Sequence, residues 1–133
     1  MKRLVRASEI VSRAEIMLTH LKEGQSEVSI LLCDDPTIHS LNRDYRKKDK
    51  PTDVLAFAMR EGKFAQHAGN MLGDVIISLE TAARQANERK IGLLDEVTML
   101  LAHGLLHLLG WDHQTDKEER AMTKKTNQLV ALF

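Results

Sequence analysis

The residues best placed to do chemistry are His103, His107 and His113, in the segment HGLLHLLGWDH. Four residues along a helix advance about 6 Å and rotate about 400°, so His103 and His107 leave the same helical face one turn apart and can share one ion. Six further helical residues would swing His113 about 240° away from His107 and about 9 Å along the axis. Gly110 resolves this, because glycine accepts the positive φ that commonly ends a helix and lets the chain turn back towards the pair. Three imidazole nitrogens at about 2.0–2.1 Å from a zinc ion leave a fourth tetrahedral position for water, as in catalytic rather than structural sites. Neutral ligands leave the ion its double charge, which lowers the pKa of water towards about 7. A lone histidine on an apolar helix is ordinarily a core residue with satisfied nitrogens. Unpartnered buried imidazoles are costly, and a shared cation accounts for all of them together.

In the zinc-peptidase pattern HExxHxxGxxH a glutamate general base follows the first histidine, whereas Gly104 stands there here. Asp112, the nearest carboxylate, could orient a ligand imidazole or simply shape the turn before His113. A second chemical feature is the run from Arg43 to Lys50, with five cations in eight residues. Such a run is ordinarily a solvated surface. Facing a metal, it would supply the fixed positive charge that a phosphodiester needs, with Arg46 the best candidate because a guanidinium meets phosphate oxygens in a bidentate way.

The elements that must position these groups follow from periodicity. Ser8 to Leu21 reads as an amphipathic helix with Ser8 as its cap, and Val28, Ile30 and Leu32 recur at strand spacing, with Leu31 suggesting burial on both faces. Asp35-Pro36 suggests an N-cap followed by proline, opening a helix to about Tyr45. Pro51 places a loop after the basic run. Strands are expected over 54–59 and 72–79, joined by a polar, glycine-containing, hairpin-like connection. Helices follow over 80–90 and 95–109, the latter apolar almost all round and therefore central, and a Thr115/Glu118 capping box opens a last helix running close to Phe133. The expected fold is α/β (α+β): one domain over residues 1–133, with a small mixed sheet and about five helices, the buried central one carrying two of the histidines.

The 133 residues, 43% of them apolar, suffice for one core. Lysine plus arginine equal aspartate plus glutamate at 19 each, so no global field draws the protein to nucleic acid or anionic lipid, and any such binding requires a local patch. The single cysteine, Cys33, excludes an intramolecular disulfide. The amino-terminal residues do not read as a signal peptide, and TMLLAHGLLHLLGW is too short to span a bilayer, so a cytoplasmic protein is expected. Low aromatic content argues against a stacking platform for single-stranded nucleic acid.

Taken together, LNRDYRKKDKPTDVL, LGDVIIS and HGLLHLLGWDH, in that order, resemble the YbeY family of bacterial rRNA maturation factors, which are metal-dependent endoribonucleases. The histidine segment matches the family's HGxLHLxGyDH with tryptophan for tyrosine. The resemblance implies one zinc ion on His103, His107 and His113, with Arg46 acting in catalysis or in binding substrate together with Lys47 and Lys48. It also implies a part in small-subunit rRNA 3′-end maturation and ribosome quality control. Its expected partners are rRNA, the small ribosomal subunit, a ribosomal protein or an Era-like GTPase, with no membrane. Where the family usually has Ser-Phe-Pro, this chain has Ala56-Phe57-Ala58, removing a hydroxyl at position 56. Little chain precedes the helix at Ser8 for the first strand usual in the family, so a smaller sheet or an altered edge is expected. Two alternatives from other classes are a non-catalytic RNA-binding assembly factor with a structural metal, and a hydrolase of another substrate, such as a peptidase, using Asp53, Asp74 or Asp112.

Overall fold

The computed structural model describes residues 6–59 and 70–133. In chain order the elements are α1 (Ala7–His20), β1 (Glu27–Cys33), α2 (Asp35–Arg46), β2 (Val54–Ala58), β3 (Met71–Ser78), α3 (Leu79–Arg89), α4 (Leu93–Leu108) and α5 (Asp116–Val130). The three strands lie in the order β1-β3-β2, with β1 parallel and β2 antiparallel to β3. This is the expected α/β architecture of five helices and a small mixed sheet among the described residues. The expected connection between β2 and β3 falls largely on residues 60–69, and the expected altered edge on residues 1–5, both outside the described residues.

Side chains alternate across the central strand beyond the register shift at Met71–Gly73, which resets the face of Leu72. Leu72, Val75 and Ile77 of β3 face the main core with α1, α3, α4 and α5, while Ile76 faces Ile38 of α2 and Leu55 of β2. Gly104 brings α4 down onto the sheet: a Cβ there would meet Val75 Cγ1 at 2.7 Å. The sheet thus seats the histidine helix at a depth that only glycine permits.

Three local expectations need correction. Leu31 is 46% exposed, because β1 lies at the edge of the sheet among the described residues and its α2-side face is only partly covered, so β1 is not buried on both faces. The N-cap of α2 is Asp34, whose Oδ1 accepts from the Thr37 N–H at 2.9 Å. Asp35 is instead the first helical residue, and its carboxylate accepts from Ser78 Oγ and Thr81 Oγ1, each at 2.6 Å, and from Arg84 at 2.8 Å. These bonds, made with Ser78 first, then Thr81, and aided by the Arg84 charge, hold the Asp35 carboxyl down to about 2 against the opposing effect of burial. Ser8 lies inside α1, which begins one residue earlier after Arg6 without a side-chain cap. At the other end of the chain, Thr115 caps α5 as expected, accepting from Glu118 N–H at 3.1 Å.

Candidate metal centre and cationic cleft

The histidine pair sits near the carboxyl end of α4, and the helix stops there through a Schellman motif. Gly110 takes φ of +94°, its N–H donates to the His107 carbonyl at 3.0 Å, and the Trp111 N–H reaches back to the Leu106 carbonyl at 2.9 Å. The reversal returns His113 to the pair. The Nε2 atoms of His103 and His107 are 3.2 Å apart, and the His113 ring centroid lies 5.8 Å from that of His103 and 5.2 Å from that of His107. One nitrogen from each of the three rings lies within 4.8 Å of the others. Ligands at about 2.0–2.1 Å around a tetrahedral ion are themselves about 3.3 Å apart, so the His103–His107 spacing suits one such ion.

The electrostatics favour the ligating form of the rings. Burial, followed by the neighbouring imidazoles His107 and His113, lowers the His103 pKa, with Asp53 opposing. His107 is lowered chiefly by burial, then by His113, with Asp112 opposing and Arg46 adding to the depression. Both rings are thereby held neutral at physiological pH, with nitrogen lone pairs free for a cation.

A cleft of about 690 Å³ runs from the three histidines to the loop after α2. Arg46, Lys48 and Lys50 line it, whereas Lys47, expected at the substrate, does not. Lys47 occupies the left-handed C-cap of α2 at φ 62°, and the chain turns there before delivering the next cations. The guanidinium of Arg46 donates to the Ala56 carbonyl and lies over the Phe57 ring, 5.1 Å from its centroid. Because that contact uses backbone, the missing hydroxyl at position 56 does not remove it. Asp112 accepts from the His113 backbone N–H at 2.7 Å, so its hydrogen bond holds the turn rather than a ring nitrogen. Of the alternative acids, Asp53 and Asp112 line the cleft and Asp74 does not. Val75 also denies space to a side chain at Gly104, where the peptidase glutamate would stand.

Sequence reasoning did not single out three further residues: one lining the cleft, one beside Arg46 and one buried in α4. Asn42, buried on α2, lines the cleft and donates to the Lys50 carbonyl at 2.9 Å, pinning the cationic loop. Its signal was a polar residue one turn after Ile38 on an apolar face. Tyr45, 68% exposed, meets Phe57 edge-on at 5.7 Å, which puts a solvent-accessible ring beside Arg46 despite the low aromatic content. Glu96 is fully buried in α4, 3.4 Å from the Arg89 guanidinium, with neither carboxylate oxygen hydrogen-bonded among the described residues. Burial raises its pKa, with Arg89 opposing and Asp53 adding.

The chain matches the profile of the family described as Endoribonuclease YbeY over residues 3–133. It is 45% identical over 129 residues to the Endoribonuclease YbeY of Aquifex aeolicus, covering 97% of this chain and 84% of that protein. The match to the protein of the same name from Pelotomaculum thermopropionicum is 45% over 131 residues, covering 96% and 82%. The solution structure of TM1509 from Thermotoga maritima is similar with a TM-score of 0.64 at 27% identity, over 96% of this chain and 83% of that one.

Proposed function

Because the chain belongs to the YbeY endoribonuclease family, we propose that it is a zinc-dependent endoribonuclease that cuts single-stranded ribosomal RNA in the cleft between the three histidines and Arg46. The observation that carries this reading is the convergence of three imidazoles and a cationic loop on one cleft. An all-imidazole donor set suits zinc, and the His103–His107 nitrogens already stand at the spacing of two ligands on one such ion. A zinc ion on His103, His107 and His113 would supply Lewis acidity, polarising a phosphoryl oxygen and lowering the pKa of water.

The chain's own groups do the rest. Arg46, tied by one N–H to Ala56, keeps the remainder of its fork for the scissile phosphate and stabilises charge that grows on it in the transition state. Lys48 and Lys50 add counter-charge along the backbone path. Tyr45 offers a face for an unpaired base. Asp112 fixes the backbone that presents His113. The cellular setting that fits this chemistry is the cytoplasm. There the substrate would be the 3′ end of small-subunit rRNA and the work ribosome quality control, with the small subunit, a ribosomal protein or an Era-like GTPase as partners.

The test is cleavage of rRNA fragments by the zinc-loaded chain. His107→Ala and chelation should each abolish cleavage while circular dichroism shows a folded protein, and Arg46→Ala should lower kcat about a hundredfold with zinc content unchanged. Undiminished cleavage by His107→Ala removes the metal from the mechanism. Unfolding on chelation, with no cleavage before it, assigns the ion a structural role in a non-catalytic RNA-binding factor.

A further inference from the structure

Beyond His103 and His113 lies a second, half-enclosed cavity of about 360 Å³, which shares these two residues, Asp53 and Val54 with the main cleft. Its other walls come from different elements: Arg89 at the end of α3, Met99 and Leu100 of α4, and Met122, Thr126 and Asn127 of α5. The volume lies within the range of small-molecule sites, about 300–1,000 Å³.

We propose that this cavity is a nucleobase subsite, receiving the base of a nucleotide next to the scissile phosphate; the proposal rests on the ribonuclease reading above. Three observations carry it. Thr126 is only 7% exposed, lines the cavity, and its hydroxyl has no hydrogen-bond partner among the described residues. A buried hydroxyl without a partner costs stability, and a ligand with hydrogen-bonding edges would supply the missing bond. Met99, Leu100 and Met122 give an apolar, polarisable wall against which a flat ring can lie.

The charge balance also separates the two cavities. The main cleft holds Arg46, Lys48 and Lys50. In the second cavity the carboxylates of Asp53 and Glu119 face a single guanidinium, Arg89, which already pairs with Glu96 at 3.4 Å and donates to Met99 Sδ at 3.2 Å. Away from the two histidines, that lining disfavours phosphate and offers acceptors to the N–H groups of a base. Phosphate and base would therefore divide between two cavities that meet at His103 and His113.

The experiment is a methyl-resolved NMR titration of the zinc-loaded chain with each of the four 5′-nucleoside monophosphates and with inorganic phosphate. At least one nucleotide should shift the Met99, Met122 and Thr126 methyl signals saturably, and phosphate should not. Thr126→Val, which keeps shape and removes the hydroxyl, should weaken that nucleotide about fivefold, and Thr126→Ser should restore it. In RNA cleavage the Val variant should raise KM by a similar factor and alter which bonds are preferred. A chain that cuts RNA but shows no shift at these methyls, or binds nucleotides equally well as Thr126→Val, overturns the subsite and leaves the ribonuclease reading intact. Nucleotide-induced shifts in a zinc-loaded chain that cuts no RNA sink the ribonuclease reading and keep the pocket.

Discussion

The side-chain amide of Asn42 donates to the Lys50 carbonyl at 2.9 Å, so a buried residue of α2 fastens the loop that carries cations into the cleft. The Lys48 N–H adds a bond to the Asn42 carbonyl at 3.2 Å. Asn42→Ala strips this bond and leaves the loop held by backbone bonds and by the contact of His39 Nε2 with Asp49 Oδ1 at 2.7 Å. The expected cost is about 1–2 kcal/mol in urea unfolding, with KM for RNA raised several-fold as Lys48 and Lys50 lose their fixed positions. Asn42→Asp should be worse, because an acceptor then faces an acceptor. Equal KM values for wild type and Asn42→Ala would show that the loop does not need this clamp.

Gly104 tests how closely the histidine helix approaches the sheet. Alanine would gain about 1 kcal/mol of helix propensity, but its Cβ would lie 2.7 Å from Val75 Cγ1 in a buried place, where overpacking costs about 1–3 kcal/mol. The steric effect wins, giving a net loss of up to about 2 kcal/mol. A double-mutant cycle checks the cause: Val75→Ala should be less costly in the Gly104→Ala background than in wild type. Additive effects would mean that the two residues do not clash.

What the sequence disclosed and what it hid divide along physical lines. The convergence of His103, His107 and His113 was legible because helical rotation and a glycine stop are local rules, and the Schellman bonds at Gly110 and Trp111 obey them. Thr115 was legible for the same reason. Leu31 was not, since its exposure depends on β1 standing at the edge of the sheet among the described residues, a property of strand order that no local pattern encodes. The exchange of Lys47 for Lys50 arises from the left-handed turn at Lys47, which redirects the chain inside a uniformly charged run. Asp35 was misassigned by one residue because either of two adjacent aspartates could cap, and bonds to Ser78 and Thr81, remote in sequence, left Asp34 to do so.

Those same bonds give the protein an acid-sensitive joint. The Asp35 carboxyl lies at about 2, below the ordinary unfolded value of about 3.9, so its contribution to stability is complete above about pH 4 and is lost as pH falls towards 2. Replacing it with asparagine removes the titration and weakens the link between α2 and α3 at all pH values where the wild-type group is charged. Urea unfolding at pH 5 should show Asp35→Asn less stable by about 1–2 kcal/mol. The gap should narrow on acidification to pH 2. A gap that is constant across this range would exclude Asp35 as the titrating group.

Gly110 joins stability to the metal centre. Its φ of +94° strains any residue with a Cβ, although open space surrounds the position where that atom would go. Gly110→Ala should therefore cost about 1–2 kcal/mol through backbone conformation alone. If the chain relieves this strain by opening the turn, the Gly110 to His107 and Trp111 to Leu106 bonds break and His113 swings away from the other two rings. Zinc affinity should then fall about tenfold or more, because one of three protein ligands is misplaced. Gly110→Asn, which tolerates positive φ better than alanine, should lie between the two. Calorimetric zinc titration of the three proteins checks the order; equal affinities would show that the bend at Gly110 is not what delivers the third imidazole.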